Sequence, residues 1–123
     1  VLVAQLWLRS ITHAARLLGI WRDLGIDGKQ VSIVINRSGA KFKEGISQKD
    51  FERVCGHEID FSLANDIKTI VTAENQGKTI LEIGSSALGN QLEQLAGMLI
   101  GLSNDDASRP SISEKGFAFF KKG

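Results

Sequence analysis

Cysteine is almost missing from this chain: Cys55 is the only one in 123 residues. A single thiol excludes a disulfide framework, and the two histidines, His13 and His57, stand too far apart for zinc-type ligand spacing. A lone thiol fits a reducing cytosol, where Cys55 reads as a small buried hydrophobe at a helix end rather than a nucleophile. Net charge is also missing. Fifteen Lys and Arg against fourteen Asp and Glu leave +1, so no global field draws nucleic acid or an acidic partner to the chain. No apolar run approaches the roughly 20 residues of a membrane-spanning helix, and no signal peptide is visible. Repeats and low-complexity segments are lacking as well. These absences point to a cytoplasmic protein with no nucleic-acid partner.

What remains is ordinary globular composition, 42% hydrophobic and 24% charged, at one domain's length. The start is unusual. V-L-V-A opens in mid-strand with no turn, cap or methionine before it, and an unpaired strand edge invites aggregation. The expectation is a piece of a longer polypeptide whose missing part lies on the N-terminal side.

Residues 1 to 5 read as a short buried strand. Leu8, Ile11, Ala15, Leu18 and Trp21 recur at helical spacing, widened by Leu17, Ile20 and Leu24, and G-I-D-G at 25 to 28 stops that helix. Val31 to Ile35 is apolar at nearly every position, as in a parallel strand covered on both faces. Ser47 and Asp50 form a capping-box-like pair that opens a helix closed by Gly56. His57 to Leu63 alternates as a third strand. A helix with Ile67, Ile70, Val71 and Glu74 stops at Gly77, and Leu88, Leu92, Leu95 and Leu99 mark a last amphipathic helix. Alternating strands and helices predict βαβ units, hence an α/β fold with a mostly parallel, doubly wound sheet.

In such sheets ligands bind outside the carboxyl ends of the strands. Asn36-Arg37 follows the second strand of this reading, and Ala64-Asn65-Asp66 follows the third. An Asn amide presents an acceptor and two donors in a plane and can match the N6-amino and N7 pair of adenine. A neighbouring Arg can stack on a base or brace the loop. The plainer reading is that Asn36 closes an Asx-type turn beside a solvated Arg37, and that Asp66 caps the helix starting near Ile67. A cap and a ligand role can coexist in Asp66.

A strand ending V-I-N-R, the helix I-S-Q-K-D-F-E, a strand ending L-A-N-D, a helix running to N-Q-G-K and an apolar last helix, in that order, carry a resemblance. Residues 1 to 102 resemble the C-terminal half of a ParA/MinD-like ATPase domain, a P-loop NTPase fold, and are most similar to the TadZ/CpaE pilus-assembly proteins. Residues 103 to 123 are then a linker and a basic-aromatic tail. The resemblance implies an ATP-binding protein that dimerises and positions a Tad (Flp) pilus secretion machine, at the cell pole or peripheral to the inner membrane. It implies that Asn36 and Arg37 lie near the adenine, that Ala64, Asn65 and Asp66 line its other side, and that Q-L-W-L-R-S-I at 5 to 11 falls at a subunit interface. Relatives usually carry Pro, a loop stiffener, where Ala64 stands. Mg and the phosphates would be held through the missing N-terminal half.

No G-x-x-x-x-G-K-S/T motif occurs anywhere in the chain. Phosphoryl transfer needs those backbone N–H groups and the lysine, so this stretch should be inactive as an ATPase alone, with no catalytic residues and no metal ligands of its own. Turnover by the parent stays open. The alternative is a polar-localisation scaffold of the same fold that has lost turnover. A receiver-like signalling domain is disfavoured, because no acidic cluster follows the first strand. Trp7 is the better partner anchor of the two tryptophans, Trp21 reading as core. Lys41, Phe42 and Lys43 form a small basic loop, and G-F-A-F-F-K-K-G can touch an anionic membrane or a neighbouring chain.

Overall fold

The computed structural model describes residues 1–41, 43 and 45–104. The chain divides into two compact units, Val1–Asn65 and Asp66–Gly123. In the first, β1 (Leu2–Ala4), α1 (Leu8–Asp23), a 3-10 turn at Gly28–Gln30, β2 (Ile33–Ser38), α2 (Gln48–Cys55) and β3 (Phe61–Ala64) follow in order. The three strands form one parallel sheet in the order β1-β2-β3. The second unit holds α3 (Ile67–Gln76), a 3-10 turn at Leu81–Ile83 and α4 (Ala87–Asn104). This is the α/β arrangement that the alternation of elements predicts.

The central place of β2 follows from its composition. Ile33, Val34 and Ile35 are fully buried, as a strand flanked on both edges and covered on both faces requires. Ile33 and Ile35 share a core with Leu2, Ala4, Ile11, Leu18 and Phe51. Val34 alternates to the opposite face. α1 buries a narrower stripe than its periodicity predicts. Ile11, Ala14 and Leu18 are buried, and Ala15 and Trp21 pack partly on the core. Leu8 and Leu24, at the helix ends, are 62% and 72% exposed. β1 is three residues long and gives the helix little to lie on. Ile20, at 100° per residue, points nearly opposite to the buried row.

α2 forms as its caps dictate. The Ser47 hydroxyl accepts from the Asp50 N–H at 3.1 Å and donates to the Asp50 carboxylate at 2.7 Å. Gly56 ends the helix at φ 64. Those bonds, with the Arg53 guanidinium 2.9 Å away, hold the Asp50 carboxyl below its ordinary value, the Ser47 hydroxyl first.

β3 starts later than the alternation from His57 predicts, because side chains occupy its approach. The ring nitrogens of His57 lie 2.7 and 2.8 Å from the carbonyls of Glu58 and Gly28. Ile59 N–H donates to the Glu52 carboxylate at 3.0 Å. Asp60 meets Ile33 twice, its carboxylate accepting from the Ile33 N–H at 2.8 Å and its own N–H donating to the Ile33 carbonyl at 3.0 Å. Only after this clamp does the ladder begin.

In the second unit Gly77 ends α3 at φ 61. Thr79 then donates its N–H and its hydroxyl to the Glu82 carboxylate at 2.7 and 2.8 Å, lowering that carboxyl's pKa. Leu88 is buried, while Leu92, Leu95 and Leu99 are half-buried. Residues 105–123, with most of the expected linker and the whole basic-aromatic tail, lie outside the described residues. Among the described residues, no helix is long and apolar enough to cross a membrane, and no three His, Cys, Asp or Glu side chains gather as a metal site.

Phe51 is the largest fully buried side chain. Phe51→Ala should cost about 3–5 kcal/mol of stability, read as a lowered urea midpoint at unchanged slope.

Candidate functional site

The carboxyl end of β2 is irregular. Ile35 pairs with Ser62 and Ser38 with Ala64, three residue steps on β2 against two on β3. One extra residue is therefore accommodated in β2 as a bulge. Arg37 takes the left-handed conformation there, φ 55, unlike every other described non-glycine residue. Asn36 and Arg37 thus lie inside β2 rather than after it. The strand is prolonged because pairing resumes at Ser38, whose carbonyl accepts from the Asn65 N–H at 3.0 Å. A turn follows, closed by the Ala40 N–H donating to the Arg37 carbonyl at 3.1 Å. Gly39 supplies the positive φ of 85 at its third position.

The bulge sends two adjacent side chains apart. The Asn36 amide oxygen accepts from the Arg37 backbone N–H at 2.9 Å, and the residue lines a groove of about 410 Å³ on the β1–α1 side with Gln5, Ser10 and His13. Arg37 leans the other way, its Nε donating to Oδ1 of Asn65 at 3.3 Å. Ala64 closes β3 opposite Ser38. Asp66, the next residue but one, turns its carboxylate toward its own helix. It accepts from the Thr69 N–H at 3.1 Å and the Thr69 hydroxyl at 2.6 Å, capping α3. The hydroxyl contact is the leading cause that depresses the Asp66 carboxyl below its ordinary value. The structure thus joins Arg37 with Asn65, ties Asn36 to the backbone of its neighbour, and gives Asp66 the role of a cap.

The donor set bears on what such a site can bind. Both groups facing the two amides are N–H donors, so each amide presents its oxygen to Arg37 and keeps its NH2 for another acceptor. The second lone pair of each oxygen still accepts. The Asn65 amide and the Arg37 guanidinium plane beside it suit the edge of a planar heteroaromatic ring that carries acceptor nitrogens and an amino group, while Asn36 faces the β1–α1 side. Nothing in this set supplies phosphate contacts of the glycine-loop kind. Sequence reasoning missed Ser38 and Thr69 as supports. The D-x-x-T spacing at 66 to 69 was a readable capping signal, whereas Ser38 joins the site only through the bulge.

A carboxylate depressed in the folded state contributes stability that is full above its unfolded value, about 3.9 for Asp. The contribution is lost as pH falls through the folded value. Asp66→Asn should keep the α3 cap, since Asn caps as well as Asp, and should make the fall in stability below about pH 4 shallower. Asp66→Ala should weaken α3 at every pH. Denaturant midpoints measured as a function of pH separate the two.

No protein-family model matches the chain, and no curated protein matches it. Among solved structures it is similar to a ParA family ATPase from Chlorobium tepidum TLS, with a TM-score of 0.58 and 20% sequence identity over 73% of this chain. The match spans 36% of that protein's chain. At this identity the likeness is one of fold: the elements described above adopt a ParA-type α/β arrangement.

Proposed function

We propose that this chain is the C-terminal half of a ParA/MinD-type nucleotide switch of the TadZ/CpaE kind, which localises or assembles a Tad pilus secretion machine. One observation carries the nucleotide part of the reading. Parallel β2 and β3 end side by side, with the Arg37 guanidinium and the Asn65 amide joined across them. In open parallel sheets that is where ligands sit.

In this reading the NH2 group of Asn65 donates to a ring nitrogen of the adenine, Arg37 braces the edge against which the ring lies, and Asn36 holds Arg37 in place through its backbone N–H. Ala64 leaves room for the ring, and Asp66 caps α3. Bound ATP contributes an anionic phosphate chain, with its Mg, held by segments outside this chain. Nucleotide binding favours a homodimer, and the dimer recruits the secretion components in the cytoplasm, at the pole or on the inner face of the membrane. Any turnover belongs to the complete protein.

A second reading is a scaffold of the same fold that no longer binds nucleotide. The observation in its favour is that both amide oxygens already have partners inside the chain.

The test is titration of the full-length protein carrying this chain with a fluorescent ATP analogue. Asn65→Ala and Asn36→Ala should each weaken binding by up to about tenfold, the worth of one hydrogen bond, with the fold intact by circular dichroism. Unchanged affinity in both variants removes these residues from the site, and no binding by the parent at all establishes the scaffold.

A further inference from the structure

The outer side of α1 carries a second feature that the nucleotide reading does not use. Arg9, His13 and Arg16 recur at intervals of four and three and share one helix face. They line a groove of about 680 Å³ with Trp7 and Lys43. The backbone brings Lys43 there: Trp7 and Gly45 form an antiparallel bridge, and the Ile46 N–H donates to the Leu6 carbonyl at 3.2 Å. That pins the loop carrying Lys43 against the start of α1. Among the described residues no carboxylate lines this groove. The described ion pair of Arg53 with Asp50 does not involve these cations.

A second groove, about 670 Å³, lies beside the first along α1. The two share Leu8, Thr12 and Arg16. Its further lining is of another kind: Ala15 and Ile46, with Val54 at 53% exposure. Its additional charges among the described residues, Asp50 and Arg53, pair with each other. The two grooves form one channel along residues 8 to 16 of α1, cationic on one flank and largely apolar on the flank where α1 meets α2.

We propose that this channel is a docking site for an acidic, amphipathic segment of a partner protein. Its carboxylates would lie on Arg9, Arg16 and Lys43, and an apolar side chain would enter beside Val54. Charge complementarity argues for the occupant, and the two-part lining refines it. A nucleic-acid backbone is charged along its whole length and gains nothing from the apolar half; three cations also release too few counterions for firm binding at physiological salt. A segment with an acidic side and an apolar side matches both flanks. The proposal goes beyond the nucleotide reading and does not rest on it.

The test uses the full-length protein and a fluorescein-labelled synthetic peptide in which Glu recurs along one helical face and Leu and Phe along the other, read by fluorescence anisotropy. The same peptide with Gln for Glu, a short DNA duplex and phosphatidylglycerol vesicles serve as competing probes. Arg16→Glu, at the junction, should weaken binding of the Glu peptide at least about tenfold, as reversal of a contacting charge does. Val54→Asp should weaken it by several-fold, Lys29→Glu on the exposed 3-10 turn should leave it unchanged, and added salt should weaken the Glu peptide more than the Gln form. Equal binding of the two peptides overturns the proposal. So does insensitivity to Arg16→Glu in a protein folded by circular dichroism, or tighter binding of the duplex or the vesicles.

Discussion

One extra residue in β2 governs the polar end of this sheet. In a regular strand successive side chains alternate between faces, and Asn36 and Arg37 would stand on opposite sides of the sheet with no route to β3. The bulge breaks the alternation and redirects Arg37 along the sheet toward Asn65. A left-handed conformation costs a non-glycine residue about 1–2 kcal/mol, so Arg37 needs local support. Its N–H is taken by Asn36, its carbonyl by Ala40 and its Nε by Asn65. Removing any of these contacts weakens the geometry that makes the other two available.

What could be read from the sequence was what local chemistry decides. Ser47, Asp50 and Gly56 delimit α2, and Asp66 and Gly77 delimit α3, because caps act over three or four residues. The Val31–Ile35 run announced a central parallel strand because no other environment hides so many consecutive β-branched residues. Long-range bonds were out of reach. Nothing near His57 reveals that Asp60 clamps Ile33 or that Glu52 holds Ile59, and these contacts decide where β3 begins. The bulge was equally hidden, because glycine is the usual sign of a left-handed residue and position 37 is arginine. The composition of the candidate site was legible from the strand-end rule; the turn of Arg37 toward Asn65 was not.

α1 shows why hydrophobic periodicity overstates burial. Its apolar residues occupy more of the helix surface than a sheet ending in a three-residue edge strand can cover. The leftover side chains, Trp7 and Leu8 among them, sit among cations rather than in one bare patch. Arginine stems cover apolar surface while their heads stay in water, which lessens the aggregation risk that an exposed leucine row alone would carry. The mixture is also what divides the outer surface of α1 into a charged flank and an apolar flank.

The two regions share a short piece of backbone. The turn closed by Arg37 and Ala40 leads directly into the loop that Trp7 and Gly45 fasten to the start of α1. Only the residues between Ala40 and Gly45 separate them, and Lys43 is among these. The stretch of chain that brings Lys43 to the groove beside Arg9 and His13 is thus anchored on both sides, by the turn that the Ala40 N–H closes on the Arg37 carbonyl and by the bridge of Gly45 to Trp7.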